Sequence, residues 1–289
     1  MPLKFLRRAA TLALSALLTL SLAAPALAAD RTEAEREAFL AALAELPHYQ
    51  EERSERYLAY LGGVAYTPEQ ILCIVNTDSD LTPYEDMVEA DVSYGILTLV
   101  NKHHYLAAYE PEELSALGRY GSWGSMASEA RAAFAALVDA AARDGLRIWG
   151  VSPYRSYDRQ RSIYNSYVSA HGQAEADTYS ARPGWSEHQT GLAVDVAVRG
   201  YSYGTFDGTP ESAWMREHAH EYGFILRYGE GMDYITGYMY EPWHYRYVGA
   251  DAAAYIWEND LTFEEYYYYY VIGDEPMEEA LPEEAALSS

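Results

Sequence analysis

A single cysteine, Cys73, stands in 289 residues. No intrachain disulfide can form and no cysteine-rich zinc site can be assembled, so stability must come from a packed core or in part from a metal. Within QILCIV the cysteine reads as a buried apolar residue rather than a nucleophile. Basic residues are also scarce: 20 Lys and Arg face 44 Asp and Glu, for a net charge of −24, which argues against nucleic acid as a partner. No internal repeat is visible, and beyond the first 29 residues no apolar run is long enough to span a bilayer.

The N-terminus is different. Lys4, Arg7 and Arg8 precede an apolar run from Ala9 to Ala24, followed by small residues suited to cleavage near Ala28. Residues 1–28 therefore read as a secretory signal peptide, the alternative being an uncleaved anchor; the run is shorter than the roughly 20 residues that cross a membrane. Cleavage leaves 17 basic residues against 44 acidic ones. The expected product is secreted or held at the cell envelope, with no membrane span in its mature form.

With 49% hydrophobic residues the chain has ample material for a core. TEAEREAFLAALAEL opens on a capping-box pattern, Thr32 with Glu35, and predicts an amphipathic helix ending before Pro47. EERSERYLAYL predicts a second. Residues 30–92 read as an N-terminal helical accessory region whose function the pattern does not reveal. From residue 93 to 268 helices and strands mix: ILTLV as a strand, EARAAFAALVDAAARDG as a helix with Gly145 as its C-cap, LRIWGVS as a strand, YDRQRSIYNSYVSAH as a helix. GLAVDVAV, FILRY and WHYRYV follow as strands, with the helix ESAWMREHAHEYG between the first two. The absence of a strict βαβ period favours α+β. The tail from 274 to 289, acidic and without a basic residue, reads as disordered, and YYYYY at 266–270 reads as aromatic packing beside the core.

The chemistry concentrates in SEHQTGLAVD. Strand alternation in AVDVAV puts Val194, Val196 and Val198 on one face and Ala193, Asp195 and Ala197 on the other. His188 lies seven residues before Asp195, so the chain must bend for the two to meet one ion, and Gly191 offers that bend. A catalytic zinc takes three protein ligands and keeps one position for water. EPWHYRYV is the best source of the third: Pro242 biases Glu241 toward extended backbone, and His244 opens a strand with Arg246 on its own face. Glu241 can then stand beside the metal as a base without ligating it.

Taken together these residues resemble the VanY-type zinc D-alanyl-D-alanine carboxypeptidases of the LAS peptidase group. Ser186, His188, Gly191, Ala193 and Asp195 match the pattern Ser-x-His-x-x-Gly-x-Ala-x-Asp; Glu241 and His244 match Glu-x-x-His; Tyr154, Arg155, Ser156 and Gln160 match Tyr-Arg-Ser-x-x-x-Gln. One departure is Pro153, where the family usually has glycine. The resemblance implies an LAS-type fold, a small antiparallel sheet flanked by helices. It also implies one zinc ion on His188, Asp195 and His244, with Glu241 as catalytic acid and base. Arg155, Gln160 and Ser186 would hold the substrate, a peptidoglycan stem peptide losing its C-terminal D-alanine. An L,D-carboxypeptidase acting on the tetrapeptide stem, an endopeptidase and a non-catalytic wall-binding protein are the rivals. Arg246 is open to three roles, holding substrate, orienting Glu241 or making a structural ion pair, and Ser186 to a second role, capping its turn. His218 and His220, two apart on a helix, read as surface residues, and Trp243 as core packing beside the site.

Overall fold

Thr32 accepts a hydrogen bond from the Glu35 amide while the Glu35 carboxylate takes the Thr32 amide. The capping box expected from the sequence thus starts α1 (Glu33–Ala44). A second box, Thr67 with Gln70, starts α3 (Pro68–Asn76) after the short α2 (Ser54–Leu58), and Pro68 costs nothing at a position whose amide has no helical partner. Leu43, Tyr57, Ile71, Leu72 and Val75 bury one face of each helix in a small cluster of their own. The structure, a computed structural model, describes residues 31–63, 66–107 and 109–273; the expected signal peptide and acidic tail lie outside them.

A parallel two-residue pair, β1 (Val88–Glu89) and β2 (His104–Tyr105), and an antiparallel hairpin, β3 (Leu114–Ala116) with β4 (Ser125–Ala127), lead into the main body. There α4 (Ser128–Arg143) ends as expected at Gly145, whose positive φ of 81° lets its own amide and that of Leu146 reach back to the last turn. Then come β5 (Ile148–Ser152), α5 (Tyr157–His171), α6 (Gln173–Tyr179), β6 (Ala193–Val198), α7 (Pro210–His218), β7 (Phe224–Leu226), α8 (Asp233–Thr236) and β8 (His244–Tyr247). Strands β5, β6, β8 and β7 lie side by side in that order, antiparallel throughout. The α+β architecture expected from the sequence is the one found.

Val194, Val196 and Val198 point into the main core with Phe134, Ile148, Met215 and Phe224. The opposite face of β6 is buried as well. On the far edge α9 (Ala250–Asn259), α10 (Phe263–Tyr266) and a π-helical turn (Tyr267–Val271) form a second cluster with Leu99 and Val248. The tyrosine run packs here, as expected. Tyr269 also stacks on His48 at 4.1 Å, and Cys73, buried, donates to Glu265.

ILTLV is not a strand. Residues 92–97 form a 3-10 turn and the following residues run without a ladder partner. The apolar content was read correctly, since Leu99 and Val100 are buried, but the carbonyls of Ile96 and Thr98 accept from the Arg246 guanidinium instead of from a neighbouring strand. A charged side chain has taken the role of a β-ladder.

Glu264 on α10 is fully buried and receives a two-pronged bond from Arg227 at 2.8 and 2.6 Å, plus Asn101 at 3.2 Å. Arg227 also reaches Glu187 at 2.7 Å. Replacing Arg227 with methionine leaves two carboxylates sharing less positive charge in the interior, and is expected to cost about 3–5 kcal/mol in a urea unfolding measurement. A loss under about 1 kcal/mol would show that Arg246 and Asn101 suffice.

Candidate metal centre

Asp195 and His244 face each other directly across the β6–β8 ladder, which sets their side chains next to one another on one face of the sheet. His188 reaches the same point from the 3-10 turn Glu187–Thr190. Gly191 makes the bend the spacing demanded, at φ 72°, and it lies so close to β4 that an added Cβ would sit 2.9 Å from the Ala127 amide nitrogen. One ligand atom from each of His188, Asp195 and His244 lies within 4.8 Å of the others. Among the described residues no other group of three or more His, Cys, Asp and Glu converges in this way.

Each imidazole is oriented from behind. His188 Nδ1 donates to the Pro153 carbonyl at 2.9 Å, leaving the Nε2 lone pair toward Asp195 Oδ1, 3.5 Å away. His244 Nε2 faces Glu187 Oε2 at 3.3 Å, leaving Nδ1 toward Asp195 Oδ1 at 3.2 Å. Asp195 Oδ1 is itself buried without a hydrogen-bond partner. A buried carboxylate oxygen with no donor, flanked by two imidazole lone pairs, fits a cation. Two imidazoles and one carboxylate form the three-ligand set that zinc takes while keeping a position open.

The electrostatics point the same way. Burial would raise the Asp195 carboxyl, but His188 and His244 hold it well below the usual range. Burial disfavours charge on His244, yet its contacts with Asp195 and Glu187 outweigh this and raise it to about 9, while burial and then Arg155 lower His188 to about 4. The carboxylates around His244 thus favour a cation at this point, and metal binding there is linked to deprotonation of its ligands.

Glu241 precedes β8 in a turn closed by the His244 amide on the Glu241 carbonyl, so its Oε2 comes 3.7 Å from His244 Nδ1. Burial first, then Asp195 and Glu187, pushes its carboxyl up to about 7. Arg155 lies on the other flank, its amide bonded to the His188 carbonyl at 3.0 Å. Its guanidinium donates to Gln160 Oε1 at 2.9 Å and stands 3.9 Å from Asp195. Its Nε has no partner. Gln160 is fully buried and donates in turn to the Ala181 carbonyl at 2.6 Å, so it sits behind Arg155. Ser186 is buried at the start of the 3-10 turn but makes no cap hydrogen bond with its side chain. Pro153, the departure from the family pattern, packs against Gly124 and still presents its carbonyl to His188.

The sequence reading missed Glu187. Its carboxylate is completely enclosed, with Oε1 accepting from Arg227 at 2.7 Å and Arg246 at 3.0 Å and Oε2 facing His244. Burial alone would raise its pKa, but the two guanidiniums hold it well below the ordinary range. Arg246 thus makes the structural ion pair, one of its three open roles. A signal existed: FILRY and WHYRYV each carry an arginine inside an apolar strand, and such charges need buried acids. Substituting Glu187 by glutamine is expected to weaken zinc binding by about 10–100-fold in competition with a chromogenic chelator. An unchanged affinity would mean that Glu187 serves only the core.

Residues 124–250 match the family model described as VanY, D-alanyl-D-alanine carboxypeptidase. A Bacillus subtilis (strain 168) protein provisionally assigned as the carboxypeptidase YodJ is 43% identical over 182 residues, 60% of this chain and 67% of the relative. A D-alanyl-D-alanine carboxypeptidase of Enterococcus faecalis (strain ATCC 700802 / V583) is 42% identical over 139 residues, and the chain spans about half of its length, 51%. Among solved structures, the LdcB LD-carboxypeptidase is similar with a TM-score of 0.60 and 40% identity, covering 65% of this chain and 92% of that one. The D,D-pentapeptidase VanY from a VanB-type resistance cassette, solved with Zn(II), is similar with a TM-score of 0.52 and 36% identity, covering 59% of this chain and 97% of that one. The chain belongs to the VanY family of D-alanyl-D-alanine carboxypeptidases.

Proposed function

We propose that the protein is a secreted zinc carboxypeptidase that removes the C-terminal D-alanine from peptidoglycan stem peptides, acting on the D-alanyl-D-alanine end of the pentapeptide. The observation that carries this reading is the buried, donorless Asp195 Oδ1 between two imidazoles whose outer nitrogens are already engaged. His188, Asp195 and His244 hold the ion in this reading. When bound, zinc supplies Lewis acidity to the scissile carbonyl and makes a water nucleophilic near neutral pH.

The chain's own residues do the rest. Glu241, with its carboxyl raised to about 7, takes the proton of the attacking water and returns it to the leaving amine. Arg155 grips the terminal carboxylate with its fork of donors, which fixes the distance to the scissile bond and so restricts cleavage to the last residue. Gln160 acts as a positioning residue that aims Arg155, and Ser186, at the head of the His188 turn, holds substrate in this reading. No helix among the described residues is long and apolar enough to cross a membrane, which is compatible with release from the cell after cleavage near Ala28.

A second reading, L,D-carboxypeptidase action on the tetrapeptide, is favoured by the likeness to the LdcB LD-carboxypeptidase. Both readings use the same residues. The purified mature protein is expected to release D-alanine from a synthetic pentapeptide stem, to lose that activity on chelation and to regain it with zinc. Glu241→Ala should abolish release while zinc stays bound, and Arg155→Lys should raise KM by about tenfold, roughly 1.4 kcal/mol of carboxylate recognition. Release from the tetrapeptide alone would transfer the assignment to the second reading. Release from neither peptide by zinc-loaded protein would end both.

A further inference from the structure

Lys4 and Lys102 are the only lysines among the 20 basic residues, and Lys102 is buried. A buried ammonium needs partners for its protons. This one is spent on backbone carbonyls rather than on a carboxylate. Its Nζ donates to the Asp177 carbonyl in α6 at 2.8 Å and to the Gly237 carbonyl just after α8, and it lies over the Tyr238 ring, 4.5 Å from the centroid.

The two carbonyls differ in how they are held. Asp177 is pinned by Arg182 at 2.8 and 3.1 Å and by the Tyr164 hydroxyl at 2.7 Å. The root of the lysine is pinned as well, since the Lys102 carbonyl accepts from the Tyr84 amide at 3.1 Å and the neighbouring Asn101 side chain donates to Glu264. Gly237, at φ 71°, instead opens the short connection that ends at Glu241. Along it the Tyr238 ring packs on Tyr228 with centroids 4.9 Å apart, and Tyr228 packs on His244 at 4.8 Å. The Tyr228 carbonyl takes the Glu241 amide at 3.1 Å, while Met239 between them is 52% exposed. The ammonium thus ties the start of this connection to α6, and the far end carries the Glu241 carboxyl.

We propose that Lys102 is a positioning residue for Glu241: by tying Gly237 and Tyr238 to α6 it fixes where the 237–241 connection begins, and so where the carboxyl stands relative to the metal ligands. This rests on the carboxypeptidase reading above, in which Glu241 moves the proton. The ligands themselves do not depend on this tie, because Asp195 and His244 are placed by the β6–β8 ladder and His188 by its own turn. Misplacing a catalytic group by about 1 Å costs up to about a hundredfold in rate, so the loss belongs in kcat and not in zinc affinity.

The test uses the mature zinc-loaded protein. Lys102→Met keeps the stem and removes the ammonium; it is expected to lower kcat for D-alanine release by about tenfold or more, with KM changed by less than about threefold and zinc affinity by less than about twofold. Hydrogen exchange at the Glu241 amide is expected to quicken by about tenfold or more while the amides of the β6–β8 ladder keep their rates. Ser79→Ala is the comparator: it removes a 2.7 Å bond to the Ile235 carbonyl in α8 without touching the lysine, and is expected to leave kcat within about twofold. An unchanged kcat in Lys102→Met, an equal loss in Ser79→Ala, or faster exchange throughout the ladder would overturn the proposal. Should Lys102→Met not fold, Gly237→Ala, whose added Cβ would sit 3.1 Å from the lysine Cδ, carries the same expectations; failure of both to fold also overturns it, since the contact then serves the fold alone. If the unaltered protein cleaves neither stem peptide, the carboxypeptidase reading fails separately and exchange alone decides this inference: quickening confined to the Glu241 amide supports it, and an unchanged rate there overturns it.

Discussion

The Glu187 carboxylate is the point from which the rest of this structure is organised. One oxygen joins two arginines from neighbouring strands and the other backs the His244 imidazole. Such a charge is tolerable in the interior because two guanidiniums and an imidazole partner its oxygens. Through Arg227 it reaches α10, and through Arg246 it reaches the carbonyls of the 96–98 segment, so the sheet, the last helix and an irregular stretch are tied to one side chain. The same bond network that fills the space between β8 and α10 decides which nitrogen of His244 faces inward.

That arrangement separates two kinds of electrostatic order. Around Glu187 and Glu264, two arginines meet two glutamates and the charges balance. Beside them on the same face of the sheet, Asp195 and Glu241 face Arg155 and two imidazoles with one oxygen left without a donor. The unbalanced group, with a donorless oxygen between two imidazoles, fits a cation. Glu187 belongs to the first group and backs His244 in the second, so one side chain joins the two.

Much of this was legible in the sequence where a pattern is local. Thr32 with Glu35, Gly145 after its helix and the valine alternation of AVDVAV all became what their spacing predicts, and the bend at Gly191 follows from an odd separation between His188 and Asp195. What spacing could not give is register. Nothing in the sequence says that Asp195 pairs with His244 rather than with a neighbour two residues away, because that depends on how distant strands meet. ILTLV failed for a related reason: its apolar content is that of a buried segment, and whether its carbonyls meet a strand or an arginine is settled 150 residues further on. Glu187 lay in plain view inside the quoted stretch, but its importance comes from arginines that only the fold delivers.

The tyrosine run beside the core also joins the two ends of the described chain. Cys73 and Asp78 find Glu265 and Tyr268 across separations of 192 and 190 residues, and His48 stacks on Tyr269. The N-terminal helices are therefore closed against the main body by side chains at 265–269, so that truncation before residue 263 would uncover His48, Cys73 and Asp78 together.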